Sequence, residues 1–450
     1  MKASGAFAIF AAMDSQTIVA PMTPTGVSAV AALRVSGSQV RLVVERLFGT
    51  KTAKALVPRM ANLGTARDPE SGKVLDSLLF IYFESPNSYT GEDVLELYPH
   101  GNPLIVRDLL QAIRRIEGVR LAEPGEYTRR AFLNGKMDLT QAESVADVIH
   151  SANRAELENA HRLLGGALSK KIATLTAQVK DISARLELDV DFAEEEADPD
   201  FAGWEARFVS IRESIQQILN SFRGKAALSR LPLAVLYGAP NAGKSSLVNA
   251  LLGEDRVLVS NVPGTTRDFV EVRLFLEGGE IRLVDTAGIA EHATDELDAL
   301  SMKKSREILE EADLKILVLD GTDSGEPVVQ PDFIVHSKCD VRGTLPETGL
   351  RISSKTGAGL AELKSVMNSA LFKKCENEED LWITSEREKA CLEDAYAGVN
   401  RVLDLLHRNP AVELLAFEMQ LVRRALQSIT GEISSEDILQ SIFAGFCIGK

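Results

Sequence analysis

The chemistry in this sequence concentrates at Gly238-Ala239-Pro240-Asn241-Ala242-Gly243-Lys244-Ser245, a G-x-x-x-x-G-K-S loop between an apolar, β-branched run at 231–237 and a helical run at 246–252. Glycines let the backbone N–H groups of such a loop curl around phosphates, and the helix N-terminus behind it favours their negative charge. Lys244 is suited to neutralise the outer phosphates and Ser245 to ligate magnesium, while Asn241, Ala242, Gly243 and Ser246 line the same turn. Downstream, an apolar run at 281–284 ends in Asp285-Thr286-Ala287-Gly288, a D-x-x-G that places a carboxylate near the magnesium and a hinge glycine near the γ-phosphate. Between the two, Gly264-Thr265-Thr266 offers hydroxyls for a switch segment, with Thr266 reading as the magnesium and γ-phosphate contact.

Base choice falls to Ser337-Lys338-Cys339-Asp340, after a strand predicted at 333–336. The Asp340 carboxylate can accept two hydrogen bonds from the guanine edge, which adenine cannot donate, and Lys338 can lie along the purine face. The usual motif here opens with Asn. Ser337 is shorter and cannot reproduce every amide contact, which predicts weaker nucleotide binding with the same base preference. Ser353-Ser354-Lys355, at the end of a strand predicted at 350–352, would support the base through its backbone. Each of these five segments alone could be an ordinary loop; their joint order and spacing read as a GTP-binding, GTP-hydrolysing switch.

Hydrolysis in Ras-like proteins needs a glutamine or an arginine finger at the γ-phosphate, and no Gln follows Asp285 to Gly288. Asn241 instead resembles the phosphate-loop residue of GTPases that hold a potassium ion where the arginine would sit. Carbonyls of the first switch, here Ser260-Asn261-Val262-Pro263-Gly264-Thr265-Thr266, would complete the cage. On that likeness the potassium ligands are Asn241, Ser260, Val262 and Thr265.

These loops need an α/β unit to position them, and a chain of 450 residues is too long for one core, so two to four domains are expected. Residues 17–135 read as a small α+β domain, with strands at 28–35 and 78–83, turns at Pro86-Asn87-Ser88 and Pro124-Gly125, and a helix at 106–116. Leu168, Ile172, Leu175, Val179, Ile182 and Leu186 step by four and three residues, which predicts a long helix with one apolar face, ended by the acidic run at 189–200. A second helix is predicted at 204–222, and helical spacing returns at Leu392, Ala395, Val399, Val402 and Leu406 and again near 414–429. Neither helical segment has a partner within itself. The expected fold is therefore multi-domain α/β and α+β: an extension at 1–16, an α+β domain at 17–138, and a discontinuous helical domain at 139–225 and 376–450. A Ras-like P-loop GTPase unit at 226–375 is inserted into it. A plain succession of four domains is the alternative.

Hydrophobic content of 45% and charged content of 26% exclude a disordered majority. No run reaches the roughly 18 apolar residues of a spanning helix, so an integral membrane protein is not expected. The residues before Met13 read as a start-site extension rather than a secretory signal. Cys339, Cys375, Cys391 and Cys447 are too scattered for zinc or a disulfide framework and suit a reducing cytoplasm. A net charge of -15 argues against a broad phosphate-binding surface, so on a nucleic-acid substrate a partner would supply most of the basic surface.

Beyond the nucleotide motifs, four further stretches have a distinctive form. Thr17-Ile18-Val19-Ala20, Thr23-Pro24 and Leu33-Arg34-Val35-Ser36-Gly37 open the chain. Residues 86–97 read Pro-Asn-Ser-Tyr-Thr-Gly-Glu-Asp-Val-Leu-Glu-Leu, residues 124–136 read Pro-Gly-Glu-Tyr-Thr-Arg-Arg-Ala-Phe-Leu-Asn-Gly-Lys, and the sequence ends Cys447-Ile448-Gly449-Lys450. In these the chain resembles the tRNA-modification GTPase MnmE (TrmE) family, over about residues 17 to 450.

The resemblance implies a homodimer through the N-terminal domain and a site there for a one-carbon donor, 5,10-methylene- or 5-formyl-tetrahydrofolate. By motif position that site falls to Arg34, Glu96 and Lys136, with Lys450 approaching it. It further implies joint action on tRNA with the FAD-dependent partner MnmG, in a heterotetramer. The product is a carboxymethylaminomethyl-type group at carbon 5 of the wobble uridine, while GTP hydrolysis drives opening and closing of the GTPase domains. Without the resemblance, Arg34 and Glu96 read as a surface ion pair, Lys136 as solvated, and Cys447 as a buried small apolar residue; with it, Cys447 of the terminal Cys-Ile-Gly-Lys is a candidate catalytic residue.

One departure touches hydrolysis. The family places a Glu after D-T-A-G to orient the attacking water, and aligning the Asp295-Glu296-Leu297 run puts Asp298 there, with one inserted residue before it; Asp is one methylene shorter, so either turnover is slow or Glu296 compensates, while Glu291 and His292 read as solvated. The competing function is a GTP-dependent switch in ribosome assembly, or another RNA-binding switch without modification chemistry. Such switches usually bring a basic RNA-binding appendage, and neither flank of this GTPase unit is basic.

Overall fold

The computed structural model describes residues 16–191, 201–224, 230–239, 241–254, 270–285, 307–320, 329–341, 349–372, 381–408 and 412–449. They form two compact units. One comprises the chain up to Ala146 with Leu163–Gln216 and the chain from Arg387; the other comprises Asp147–Arg162 and Gln217–Glu386.

The first unit contains β1 (Thr17–Pro21), β2 (Ser28–Val30), β3 (Leu33–Ser36), β4 (Ala61–Arg67), β5 (Val74–Phe83), β6 (Val94–Tyr98), β7 (His100–Gly101) and β8 (Val119–Leu121). Six of them make a sheet in the order β4-β5-β6-β3-β1-β8, antiparallel except for the β1–β8 pair. Strand alternation turns Leu33, Val35, Leu95, Leu97 and Phe80 into a core with Val43 and Leu47 of the helix Val40–Phe48 and Leu109 and Ile113 of the helix Pro103–Arg114. The intervening Arg34 and Glu96 face the other side of the sheet, directly opposite each other in the β3–β6 register.

Two expectations shift here. The strand predicted at 28–35 is two strands, because β2 pairs with β7 in a separate small sheet while β3 enters the large one. Ala31 and Ala32 between them bond Pro99 and Met22 respectively. The predicted helix at 106–116 starts at Pro103, where a fixed φ suits the first helical position and the Asn102 side chain accepts from Leu104 N.

In the same unit the helix Ala167–Asp191 buries Leu168, Ile172, Leu175, Val179 and Ile182 and packs along Val412–Thr430, which buries Leu415, Met419, Val422 and Leu426. Arg387 ties the helix Glu386–Leu406 down by donating to both Glu143 carboxylate oxygens and to the carbonyls of Ser428 and Ile429. Phe443 and Phe446 close the C-terminal end over Leu139 and Ala142.

The second unit is a sheet of β9 (Leu233–Tyr237), β10 (Val270–Leu276), β11 (Gly279–Asp285), β12 (Leu314–Leu319), β13 (Phe333–His336) and β14 (Leu350–Arg351) in the order β10-β11-β9-β12-β13-β14. All pairs but β10–β11 are parallel. β9 is buried throughout because both faces are covered: Ala234 and Leu236 meet Leu247 of the helix Lys244–Glu254 and Leu363 of the helix Leu360–Leu371, while Leu233 and Val235 meet Leu309. The unit also takes in residues 147–162 and 381–386, outside the boundaries expected at 226 and 375. The reason is backbone bonding that no periodicity announces. Asn153 bridges to Gly279, and the Asn159 amide exchanges two hydrogen bonds with the Trp382 backbone.

Candidate functional site

Ligands of open parallel sheets bind beyond the carboxyl ends of the strands, and at that end of the second unit's sheet one strand runs into a glycine and four into polar residues. Gly238 follows β9, Asp285 ends β11, Asp320 follows β12, Ser337 follows β13, and Ser353 lies two residues past β14. Gly238 has φ 144, and a Cβ there would stand 2.2 Å from the Val318 carbonyl oxygen, so only glycine lets the loop leave β9 beside β12. Asn241 takes the left-handed φ of 63 and Gly243 φ 98, which turns the loop into its helix.

Lys244 is buried and donates from Nζ to the carbonyls of Gly238 and Ala239, at 2.8 Å each, so its charge is held against the loop it springs from. Ser245 donates to Asp285 Oδ2 at 2.6 Å, and Asp285 is buried. This pair of hard oxygen donors fits magnesium, which takes few protein ligands and keeps the rest for phosphates and water. Ala242 is buried in the turn, and Ser246 is exposed on the first helical turn.

The residues expected to read the base are tied to this loop. Ser337, 2% exposed, donates from Oγ to the Ala242 carbonyl at 2.5 Å. Lys338, at φ 58, donates from Nζ to the Asn241 carbonyl at 2.7 Å and pairs with Asp320 at 3.3 Å. Asp340 is exposed, with Oδ1 accepting from Ser353 Oγ at 2.7 Å, and Ser354 and Lys355 follow in a turn. Sequence reasoning missed Asp320; an acidic residue closing an apolar strand was its signal. Thr286, Ala287, Gly288, Glu291, His292, Glu296, Asp298 and the first-switch residues Ser260, Asn261, Val262, Pro263, Gly264, Thr265 and Thr266 lie outside the described residues, as does Lys450. Of the expected potassium ligands, Asn241 is therefore the one described, and its side chain is exposed.

In the first unit, Arg34 donates through Nε (3.1 Å) and Nη2 (2.8 Å) to Glu96 Oε1, and Tyr98 Oη donates to Glu96 Oε2 at 2.5 Å. Both charged side chains are only 13% exposed, so this is an enclosed pair rather than a surface one. The Arg34 guanidinium lies 4.8 Å from the Tyr89 ring centroid and 5.7 Å from that of Tyr127. Tyr127 Oη donates to the Arg34 carbonyl at 2.6 Å. Burial pushes the Tyr89 hydroxyl up, and pushes the Tyr127 hydroxyl well above the usual tyrosine range.

Lys136 is exposed, and its Nζ donates to the Pro86 carbonyl at 2.8 Å, in the turn that also presents Tyr89. Cys447 is exposed, against the expectation of a buried small residue, because its chain runs over the surface. Its carbonyl accepts from Gly125 N, two residues before Tyr127, and Gly449 is pressed against Pro21 at the end of β1. The tyrosines were not singled out in the sequence, although the alternation that turns Glu96 to one face turns Tyr98 there too.

Two family models match the chain: the MnmE helical domain over residues 139–447 and the GTP-binding protein TrmE N-terminus over 17–136. The tRNA modification GTPase MnmE of Syntrophus aciditrophicus (strain SB) is 37% identical over 97% of this chain and 100% of its own, and that of Dichelobacter nodosus (strain VCS1703A) is 38% identical over 97% and 99%. The chain belongs to the MnmE family of tRNA modification GTPases. A solved structure, the G domain of the T. maritima FeoB iron transporter, is 27% identical over 31% of this chain and 99% of its own, with a TM-score of 0.24. Among the described residues no helix is long and apolar enough to cross a membrane.

Proposed function

We propose that this MnmE-family protein hydrolyses GTP in the service of tRNA modification, and that the modification is a carboxymethylaminomethyl-type group at carbon 5 of the wobble uridine. The observation that supports the GTPase part of this reading most is the convergence of Ser245 with Asp285, Ser337 with Ala242 and Ser353 with Asp340 at the carboxyl end of one sheet; the tRNA part rests on family membership. Asp340 reads guanine, held in place by Ser353. Lys244 and the loop amides would bind the phosphates, and the Ser245–Asp285 pair would hold magnesium, which when bound offsets phosphate charge. Asn241 and the switch carbonyls would hold potassium, and Asp298, helped by Glu296, would orient the attacking water.

Hydrolysis makes no bond on the base; it drives an order-disorder cycle of the GTPase units. The chemistry on uridine belongs to the first unit, working as a cytoplasmic homodimer with MnmG. There Arg34, Glu96 and Lys136, approached by Lys450, would bind the tetrahydrofolate one-carbon donor, with Cys447 nearby as the candidate reactive thiol. Family membership favours this reading over a ribosome-assembly switch. Nucleoside analysis of tRNA from a strain lacking the protein tests it: loss of the wobble modification is expected, and intact modification would remove the proposal.

A further inference from the structure

The aromatic cluster on the outer face of β3 and β6 holds Glu96 more tightly than ion pairing alone requires. A carboxylate has about four lone-pair positions. Arg34 occupies two through Oε1, and Tyr98 occupies one through Oε2. Arg34 cannot swing aside freely, because Tyr89 and Tyr127 flank its guanidinium and the Tyr127 ring is itself fixed by its hydroxyl's bond to the Arg34 backbone carbonyl. One acceptor position is left, on Oε2, and its direction is set by the Tyr98 hydroxyl.

We propose that Tyr98 is a positioning residue of the one-carbon-donor site, fixing Glu96 so that it offers a single acceptor to one N–H of the pterin ring. This rests on the folate reading above and deepens it: Glu96 recognises the pterin by one hydrogen bond, and the charge of Arg34 is spent on Glu96 rather than on the folate glutamate tail. Burial and the neighbouring Glu96 carboxylate push the Tyr98 hydroxyl up to about 12, so it stays protonated, and a donor, at any pH where the protein works.

Calorimetric titration of the full chain with 5-formyltetrahydrofolate tests this with two variants. Tyr98→Phe removes only the hydroxyl, and Tyr98→Leu removes the ring as well. If the hydroxyl positions Glu96, both bind about tenfold to a hundredfold more weakly than wild type, the size expected for one hydrogen bond to a charged group, with GTP affinity unchanged. Tyr98→Phe within about threefold of wild type, whatever Tyr98→Leu does, overturns the inference and leaves the folate reading standing. Absence of binding by the wild-type chain itself overturns both.

Discussion

Asp340→Asn replaces one oxygen of the base-reading carboxylate by an amino group, and Ser353 decides which one. The Ser353 hydroxyl accepts from Thr356 N at 3.2 Å and donates to Asp340 Oδ1 at 2.7 Å. With its proton committed in that direction, it will hold the amide oxygen of the variant at the Oδ1 position and turn the amino group to the Oδ2 position. Guanine presents N–H donors at its ring nitrogen and its 2-amino group, so the variant sets a donor against a donor. Xanthine, with a carbonyl in place of the amino group, is matched instead. Two hydrogen bonds to a charged group, about 3–6 kcal/mol together, give way to one neutral bond of about 0.5–1.5 kcal/mol, a net loss of about 2–5 kcal/mol. At about 1.4 kcal/mol per decade that is about thirtyfold to several-thousandfold in GTP affinity. Calorimetric titration of both proteins with GTP, XTP and ATP should show weak GTP binding and gained XTP binding in the variant, with ATP excluded from both. A variant that binds GTP within about threefold of wild type would refute the assignment of Asp340.

GTP turnover should be faster in potassium than in sodium and should rise with protein concentration; equal rates in the two ions would remove Asn241 and the switch carbonyls as a cation cage. Asp298→Glu lengthens the reach to the attacking water and should raise the turnover rate severalfold, and no gain in a steady-state GTPase assay counts against that role. Burial and nearby carboxylates push the Tyr82 and Tyr98 hydroxyls up to about 12, as do burial and Asp332 for Tyr237. The fold thus keeps protons that the unfolded chain releases near 10, the ordinary tyrosine value. This stabilisation is fully present below pH 10 and falls away as pH rises toward 12. A spectrophotometric titration should show tyrosinate appearing late in folded protein and near 10 in denaturant, and coincident curves would contradict it.

The phosphate loop was legible because its demands are local: Gly238 and Gly243 occupy backbone conformations other residues avoid, and the strand and helix on either side announce themselves by apolar runs. The pairing of Asp340 with Ser353 was half legible, since both motifs were read but not the bond that orients one by the other. Arg34 and Glu96 stand 62 residues apart, and only the strand order places β3 beside β6 with these two in register. For the same reason Tyr89 and Tyr127, which come from a turn and a helix, could not be seen converging on Arg34. The membership of residues 147–162 in the nucleotide-binding unit was illegible because it depends on backbone and amide hydrogen bonds at Asn153 and Asn159, which leave no hydrophobic period.

Ser337 and Lys338 are consecutive, and they bond the carbonyls of Ala242 and Asn241, which are consecutive too. Two adjacent peptides of the phosphate loop are therefore fastened to two adjacent residues of the base-reading loop. Guanine recognition and the loop proposed to hold potassium then move as one body, and an error in seating the base displaces Asn241. The same geometry bounds what the replacement of the usual Asn by Ser costs. An Asn amide has two N–H donors and a serine hydroxyl has one. Here that one proton is already used on the buried Ala242 carbonyl, so the tie between the loops survives. What is lost is the remaining donor, a single neutral hydrogen bond of about 0.5–1.5 kcal/mol. Ser337→Asn is thus expected to tighten GTP binding in a calorimetric titration by about two- to tenfold, and an unchanged affinity would contradict this accounting.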